Sequence, residues 1–145
     1  MKIFLDTSSL SKLYHHEKGT NELEQLFTTF SIDAIFLAEI TKIEFASAIW
    51  KKVRTKEISQ QQAKTTVALF ESDCLKFSFI ATDSLIIEKA QLLITEYGTK
   101  GLRTLDSLQL ATAVSLKQKA EVFITADKLL QDLFKIENLP MQIFH

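Results

Sequence analysis

"KIFLD", residues 2–6, and "VFITAD", residues 122–127, decide how this chain is read. Each is a short apolar run that ends on an aspartate. A buried carboxylate without partners is among the costliest groups a fold can hold, so neither aspartate belongs in the middle of a core. Short, solidly apolar runs separated by helix-length segments point to parallel strands covered on both faces. In such a sheet both runs end at the same carboxyl edge, where open α/β sheets bind their ligands. Asp6 and Asp127 are therefore expected on one functional rim.

Other strand-like runs fall at 34–38 (AIFLA), 77–80 (FSFI) and 141–144 (MQIF), and "EVFIT" extends the late strand over 121–125. Helical segments are expected at about 8–16, 20–31, 39–55, 59–74, 82–97, 104–119 and 126–134. This alternation predicts an α/β fold, a three-layer α/β/α domain around a central, mainly parallel sheet of about five strands. A chain of 145 residues fits one such domain, spanning 1–145. Gly98–Gly101 reads as a helix-ending loop, Pro140 as punctuation before the last strand, and Asp83 as a helix N-cap. Leu23, Leu26, Phe27 and Phe30 read first as core positions.

Composition excludes more than it identifies. Hydrophobic residues make up 46% and charged residues 24%, ordinary for a globular protein. No apolar run approaches the roughly 18 residues of a membrane helix. Asp6 breaks the first apolar stretch, so the opening does not read as a secretory leader. Cys74 is alone, which rules out an internal disulfide and makes a reducing cytoplasm the expected location. Three glycines cannot assemble a phosphate loop or a dinucleotide fingerprint. Seventeen basic against 18 acidic residues give a net charge of −1, so any phosphate-binding surface must be local.

Two more acids sit where solvent-exposed ones are not expected. Glu44, in "AEITKIEFASAIWKK", shares its helical stripe with Ile40 and Ala48 and adjoins Ile43, while Lys42, Lys51 and Lys52 carry the outer face. Asp106, in "RTLDSLQLATAVSLK", lies on a stripe with Leu110, Ala113 and Val114, although a first-turn Asp after a Thr104 cap also suits the helix dipole. If four acids approach to about 4 Å, each like-charged pair costs about 4 kcal/mol at an effective dielectric of about 20. That is a large share of the roughly 5–15 kcal/mol by which a domain is stable. Either the acids take up protons or a hard divalent cation sits among them, and an all-oxygen donor set favours Mg²⁺ or Mn²⁺ over zinc.

"FLDTSSLSKLY", "TKIEFASAIWKK", "LRTLDSLQLATA" and "FITAD", in this order and spacing, resemble the PIN domain, and within it the VapC-type toxin nucleases of bacteria. The resemblance runs from residue 2 to about residue 130. It implies a metal-dependent endoribonuclease acting on single-stranded or loop RNA and leaving 5′-phosphate and 3′-hydroxyl ends. Matched position by position, Asp6, Glu44, Asp106 and Asp127 correspond to the family's acidic quartet, the expected catalytic residues and ligands for Mg²⁺ or Mn²⁺. Thr125 corresponds to a hydroxyl that orders the metal's water shell, and Thr7 and Ser8 to polar positions just after the first strand. By the same resemblance such toxins dimerise and are neutralised by a small antitoxin, so a homodimer and a cognate antitoxin are expected partners beside the RNA substrate. Lys12, Lys42, Arg103 and Lys128, each close to one of the acids in sequence, are the candidates for phosphate contact. The alternatives are a PIN nuclease of RNA maturation or decay outside toxin–antitoxin systems, and a catalytically silent PIN module used for binding.

Overall fold

A computed structural model describes residues 1–141. Its centre is a parallel sheet of four strands, Lys2–Leu5 (β1), Ala34–Ala38 (β2), Ser78–Ile80 (β3) and Val122–Ile124 (β4), in the order β3-β2-β1-β4. Seven α-helices flank it among the described residues: Thr7–Leu10 (α1), Thr20–Thr29 (α2), Thr41–Arg54 (α3), Gln60–Asp73 (α4), Ser84–Tyr97 (α5), Thr104–Ser115 (α6) and Lys128–Ile136 (α7). None of them is long and apolar enough to cross a membrane.

The solid apolar runs have the cause inferred for them. Side chains alternate across a strand, and in β1 Ile3 and Leu5 enter one core while Phe4 enters the other. All three are fully buried. β4 divides in the same way, with Phe123 on the face of Phe4 and Ile124 on the face of Ile3. One core gathers Leu10, Leu23, Leu26, Leu37, Phe45 and Phe70 under α2, α3 and α4; the other gathers Leu93, Leu110, Leu133 and Phe134 under α5, α6 and α7. A strand between two cores has no solvated face, so it shows no polar alternation.

Register carries the strand ends to one edge. Leu5 pairs with Ile124, and the Asp6 N–H donates to the Ile124 carbonyl at 3.3 Å. Phe4 pairs with Phe36, which brings the end of β2 and the start of α3 to the same side. Polar caps start two helices as expected: Ser59 closes a capping box with Gln62 at α4, and Asp83 accepts from the Ile86 N–H at α5.

Several boundaries differ from the sequence expectation. The helix expected over 8–16 is α1 followed by a 3₁₀ turn at Ser11–Leu13; the Ser9 and Ser11 hydroxyls bond main-chain carbonyls and compete with a regular ladder. The helix expected to reach 119 ends at Ser115, whose hydroxyl turns back onto the Thr112 carbonyl. Thr104 is the first residue of α6, and Arg103 holds the cap position without a side-chain bond. Among the described residues the sheet has four strands, against the about five that the sequence predicts. The predicted fifth is 141–144, and residues 142–144 lie outside the described ones; just before them, the Pro140 carbonyl accepts from the Phe123 N–H at 2.8 Å.

Phe4 packs its ring against Phe123 and Phe134, with centroids 6.1 and 6.4 Å away. Replacing Phe4 by Ala should cost about 3–5 kcal/mol and Ile3 by Val about 0.5–1.5 kcal/mol. Urea denaturation measures both. A Phe4→Ala loss below about 1 kcal/mol would contradict a sheet buried on both faces.

Candidate active site

Asp6 ends β1 and caps α1, and only 2% of it is exposed. Its carboxylate is surrounded by short-range donors. The Ser8 hydroxyl lies 2.9 Å from both oxygens, and the Ser9 N–H and hydroxyl lie 3.0 and 2.8 Å from Oδ1. The Thr125 hydroxyl donates to Oδ2 at 2.5 Å. These bonds favour the charged form, yet burial outweighs them and holds the Asp6 carboxyl above the usual carboxylate range.

Thr125 ties the two strand ends together. While its hydroxyl donates to Asp6, it accepts from the Asp127 N–H at 3.1 Å. Asp127 in turn caps α7, taking the Leu130 N–H at 2.8 Å on Oδ1. Ser8 makes a second tie, since its Oγ accepts from the Ala126 N–H at 3.0 Å. The segments "LDTSS" and "ITAD" are thus joined across the edge by hydroxyls.

Glu44 and Asp106 reach the same edge from α3 and α6. Glu44 Oε1 accepts from Gln109 Nε2 at 2.7 Å and from the Thr7 hydroxyl at 3.1 Å. Gln109 also donates toward Thr7 and Thr41, at 3.1 and 2.9 Å. Both threonines and the glutamine are buried. The Glu44 carboxyl is pushed up, chiefly by burial and further by the charges of Asp6 and Asp106. Asp106 is pushed up by burial first, then by Asp127 and Asp6, with Arg103 opposing. At the carboxyl edge, the charges of Asp6 and Asp106 thus act on Glu44, and those of Asp127 and Asp6 act on Asp106.

The remaining candidates divide. Thr7, Ser8 and Thr125 are in the network. Arg103, exposed at the start of α6, acts on Asp106, and Lys12 lines cavities beside Ser8, Ser9 and Thr125. Lys128 opens α7 on the surface. Lys42 is engaged elsewhere: it pairs with Glu39 at 3.0 Å and stands 4.4 Å over the Phe79 ring. Ser9, Thr41 and Gln109 belong to the network without having been singled out. Gln109 left one signal in the sequence, an amide inside the otherwise apolar "LQLATAV" three residues after Asp106.

The donor chemistry fits a hard divalent cation: four carboxylates, with no imidazole or thiolate among them. No hydrogen bond reaches the Asp106 carboxylate or Glu44 Oε2 among the described residues, so oxygens remain to take an ion or its waters. Among the same residues no three acidic, His or Cys side chains form a ready-made metal cage.

A family model described as the PIN domain matches residues 3–135. The chain belongs to the PIN domain family. Its fold is shared with VapBC2 of Rickettsia felis, solved bound to a DNA fragment from their promoter, at a TM-score of 0.64 and 20% identity over all of both chains. VapC20 of Mycobacterium tuberculosis, a sarcin–ricin loop cleaving toxin, is similar at a TM-score of 0.66 and 14% identity, over 90% of this chain and 94% of that one. DNA-bound VapBC of Salmonella typhimurium is similar at 0.60 and 14%, over 98% and 97%. No curated protein matches the chain in sequence.

The crowding of acids sets a pH dependence. In the folded protein Asp106 holds its proton to higher pH than in the unfolded chain, so its ionisation subtracts stability above the unfolded carboxylate range, and acidification toward that range restores it. Asp106→Asn, measured without metal, should raise Tm at neutral pH, and the gain should shrink as pH falls through the carboxylate range. A variant no more stable than wild type at neutral pH would show that Asp106 is not crowded by its neighbours.

Proposed function

We propose that this PIN domain, a single one spanning residues 1–145, is the toxin nuclease of a VapBC-type system: an endoribonuclease dependent on Mg²⁺ or Mn²⁺ and acting in the cytoplasm. The observation that carries this is the four-acid edge, in which Asp6 is held by Ser8, Ser9 and Thr125, and Asp106, raised first by burial, is pushed up further by Asp127 and Asp6. A fold that keeps mutually repelling carboxylates half-buried has a use for the cation that neutralises them.

Asp6, Asp106 and Asp127 would hold the ion, with Glu44 contributing Oε2. When bound, a divalent ion supplies a water of lowered pKa and offsets charge on a phosphodiester. The chain does the positioning. Ser8, Ser9 and Thr125 fix the Asp6 carboxylate in one orientation. Gln109 and Thr7 clamp one oxygen of Glu44, and the other has no hydrogen-bond partner among the described residues. Arg103 brings a cation next to Asp106, where an RNA phosphate would approach.

The antitoxin and the homodimer remain part of the proposal. Two of the similar structures, those of Rickettsia felis and Salmonella typhimurium, are described as VapBC. On this chain α5 leaves Leu85 and Leu92, two turns apart, 74% and 66% exposed, which suits a surface that meets protein.

The decisive test is cleavage of RNA by the purified protein with Mg²⁺ or Mn²⁺. Asp6→Asn should fold, by circular dichroism, and cut no faster than wild type in excess chelator. Full activity in that variant, or in chelator, sinks the proposal. Calorimetry with Mn²⁺ separates a nuclease from a silent binding module, which has no reason to take up the ion.

A second variant probes the clamp. Gln109→Leu removes a buried amide that donates to Glu44, Thr41 and Thr7 and leaves those buried acceptors short of a donor, so it should cost about 1–3 kcal/mol of stability and lower Tm. Its affinity for Mn²⁺, measured below that Tm, should fall about 10–100-fold, the usual effect of losing an outer partner of a metal ligand. Unchanged affinity would mean that Glu44 needs no clamp.

A further inference from the structure

A fixed group of cations lies one side chain away from the carboxylates. Lys12 leaves the 3₁₀ turn after α1, and its Nζ donates to the Lys18 carbonyl at 2.5 Å and stands 3.4 Å from Glu17 Oε1. Lys52, in the last turn of α3, reaches the other oxygen of Glu17 at 3.5 Å. Lysines usually keep their heads in water, yet these two side chains are only 17% and 16% exposed. Gly19 makes room for one of them. Its φ of +97° suits glycine, and a Cβ there would stand 3.2 Å from both Cδ and Cε of Lys12.

The charges do not balance. Lys12, Lys51 and Lys52 line one cavity of about 350 Å³ with Glu17 and Glu57, which leaves one positive charge in excess. Holding half-buried cations without full pairing is costly, and an anion in the cavity offsets that cost. The cavity's other wall is Ser8 and Ala126, the pair whose hydrogen bond joins the two strand ends, and Ser8 also donates to Asp6.

We propose that this cavity is a phosphate subsite. It takes a backbone phosphate of the RNA strand next to the one at the acidic edge, and so sets which way the strand runs across the protein. The proposal rests on the nuclease reading above. Ammonium groups act as point charges, and a phosphate contact fixes register without reading base identity. The subsite therefore anchors RNA of any sequence and leaves sequence choice to other surfaces.

The test uses the full chain and a labelled single-stranded oligoribonucleotide. Binding is measured in chelator over a salt titration, and cleavage is measured with Mn²⁺. Lys12→Gln and Lys52→Gln should each flatten the slope of log K against log salt by about 0.7–1. Each should raise KM about three- to tenfold while kcat stays near wild type. Glu17→Gln should act in the opposite direction and tighten RNA binding, because it frees both ammonium groups; a merely structural cluster would lose affinity in all three variants. Replacing the oligonucleotide's phosphates one at a time by uncharged methylphosphonates should reveal one position beside the cut where wild type loses affinity and Lys52→Gln does not. Wild-type slopes in both lysine variants, weaker binding by Glu17→Gln, or no sensitive phosphate beside the cut would each overturn the proposal. Wild-type protein that binds no RNA overturns both readings. Wild-type protein that cleaves RNA while the lysine variants match it overturns the subsite alone.

Discussion

The structure is organised around one carboxylate that a buried strand delivers to its own end. β1 lies between two cores and has no solvated face, so Asp6 emerges 2% exposed and cannot rely on water. Its partners must come from protein. Ser8 and Ser9 come from the turn that Asp6 itself caps, and Thr125 comes from the neighbouring strand. Parallel pairing makes the last contact possible: with Leu5 opposite Ile124, the residue after each meets the other at the edge. An antiparallel neighbour would have carried Thr125 and Asp127 to the far side of the sheet.

Once Asp6 is fixed, the other acids are constrained in turn. Thr125 serves Asp6 and the Asp127 N–H with one hydroxyl, so the start of α7 is tied to the end of β1. Thr7, next to Asp6, bonds Glu44, and Gln109 joins both to α6, three residues after Asp106. Hydroxyls and a single amide make these joints, and cations do not. A lysine or arginine salt bridge would neutralise the acids and hold their proton affinity down; neutral donors orient them and leave the charge in place. Asp6, Glu44 and Asp106 accordingly stay raised by burial, and the repulsion stored at the edge is what a divalent ion would release.

Much of this was legible because strong physical signals are local. An apolar run ending in aspartate gave the sheet edge, and inward acids on amphipathic helices gave Glu44 and Asp106. Joints made by side chains far apart in sequence were not legible. Thr41 and Gln109 bond each other across 68 positions, and nothing local separates either from an ordinary buried polar residue. Proximity in sequence also misled in one place. Lys42 is two residues from Glu44, but about 200° of helical rotation separates them, and its ammonium settles on Glu39 and Phe79. Lys52 follows Glu44 by eight residues, about two turns along α3, and lies at the cavity beside Ser8.

A net charge of −1 conceals a surface divided by sign. The acids gather at the strand ends, where an unscreened phosphodiester would be repelled, and half-buried lysines stand directly beside them. Neither group alone suits a polyanion. Carboxylates without cations exclude it, and lysines without carboxylates hold it without any chemistry to apply. Side by side, as proposed, the lysine wall would supply attraction that falls with salt, and the acidic edge would supply oxygens of the kind that suit a hard ion. Glu17 sets the balance between them, because it keeps Lys12 and Lys52 ordered while cancelling only one of their two charges.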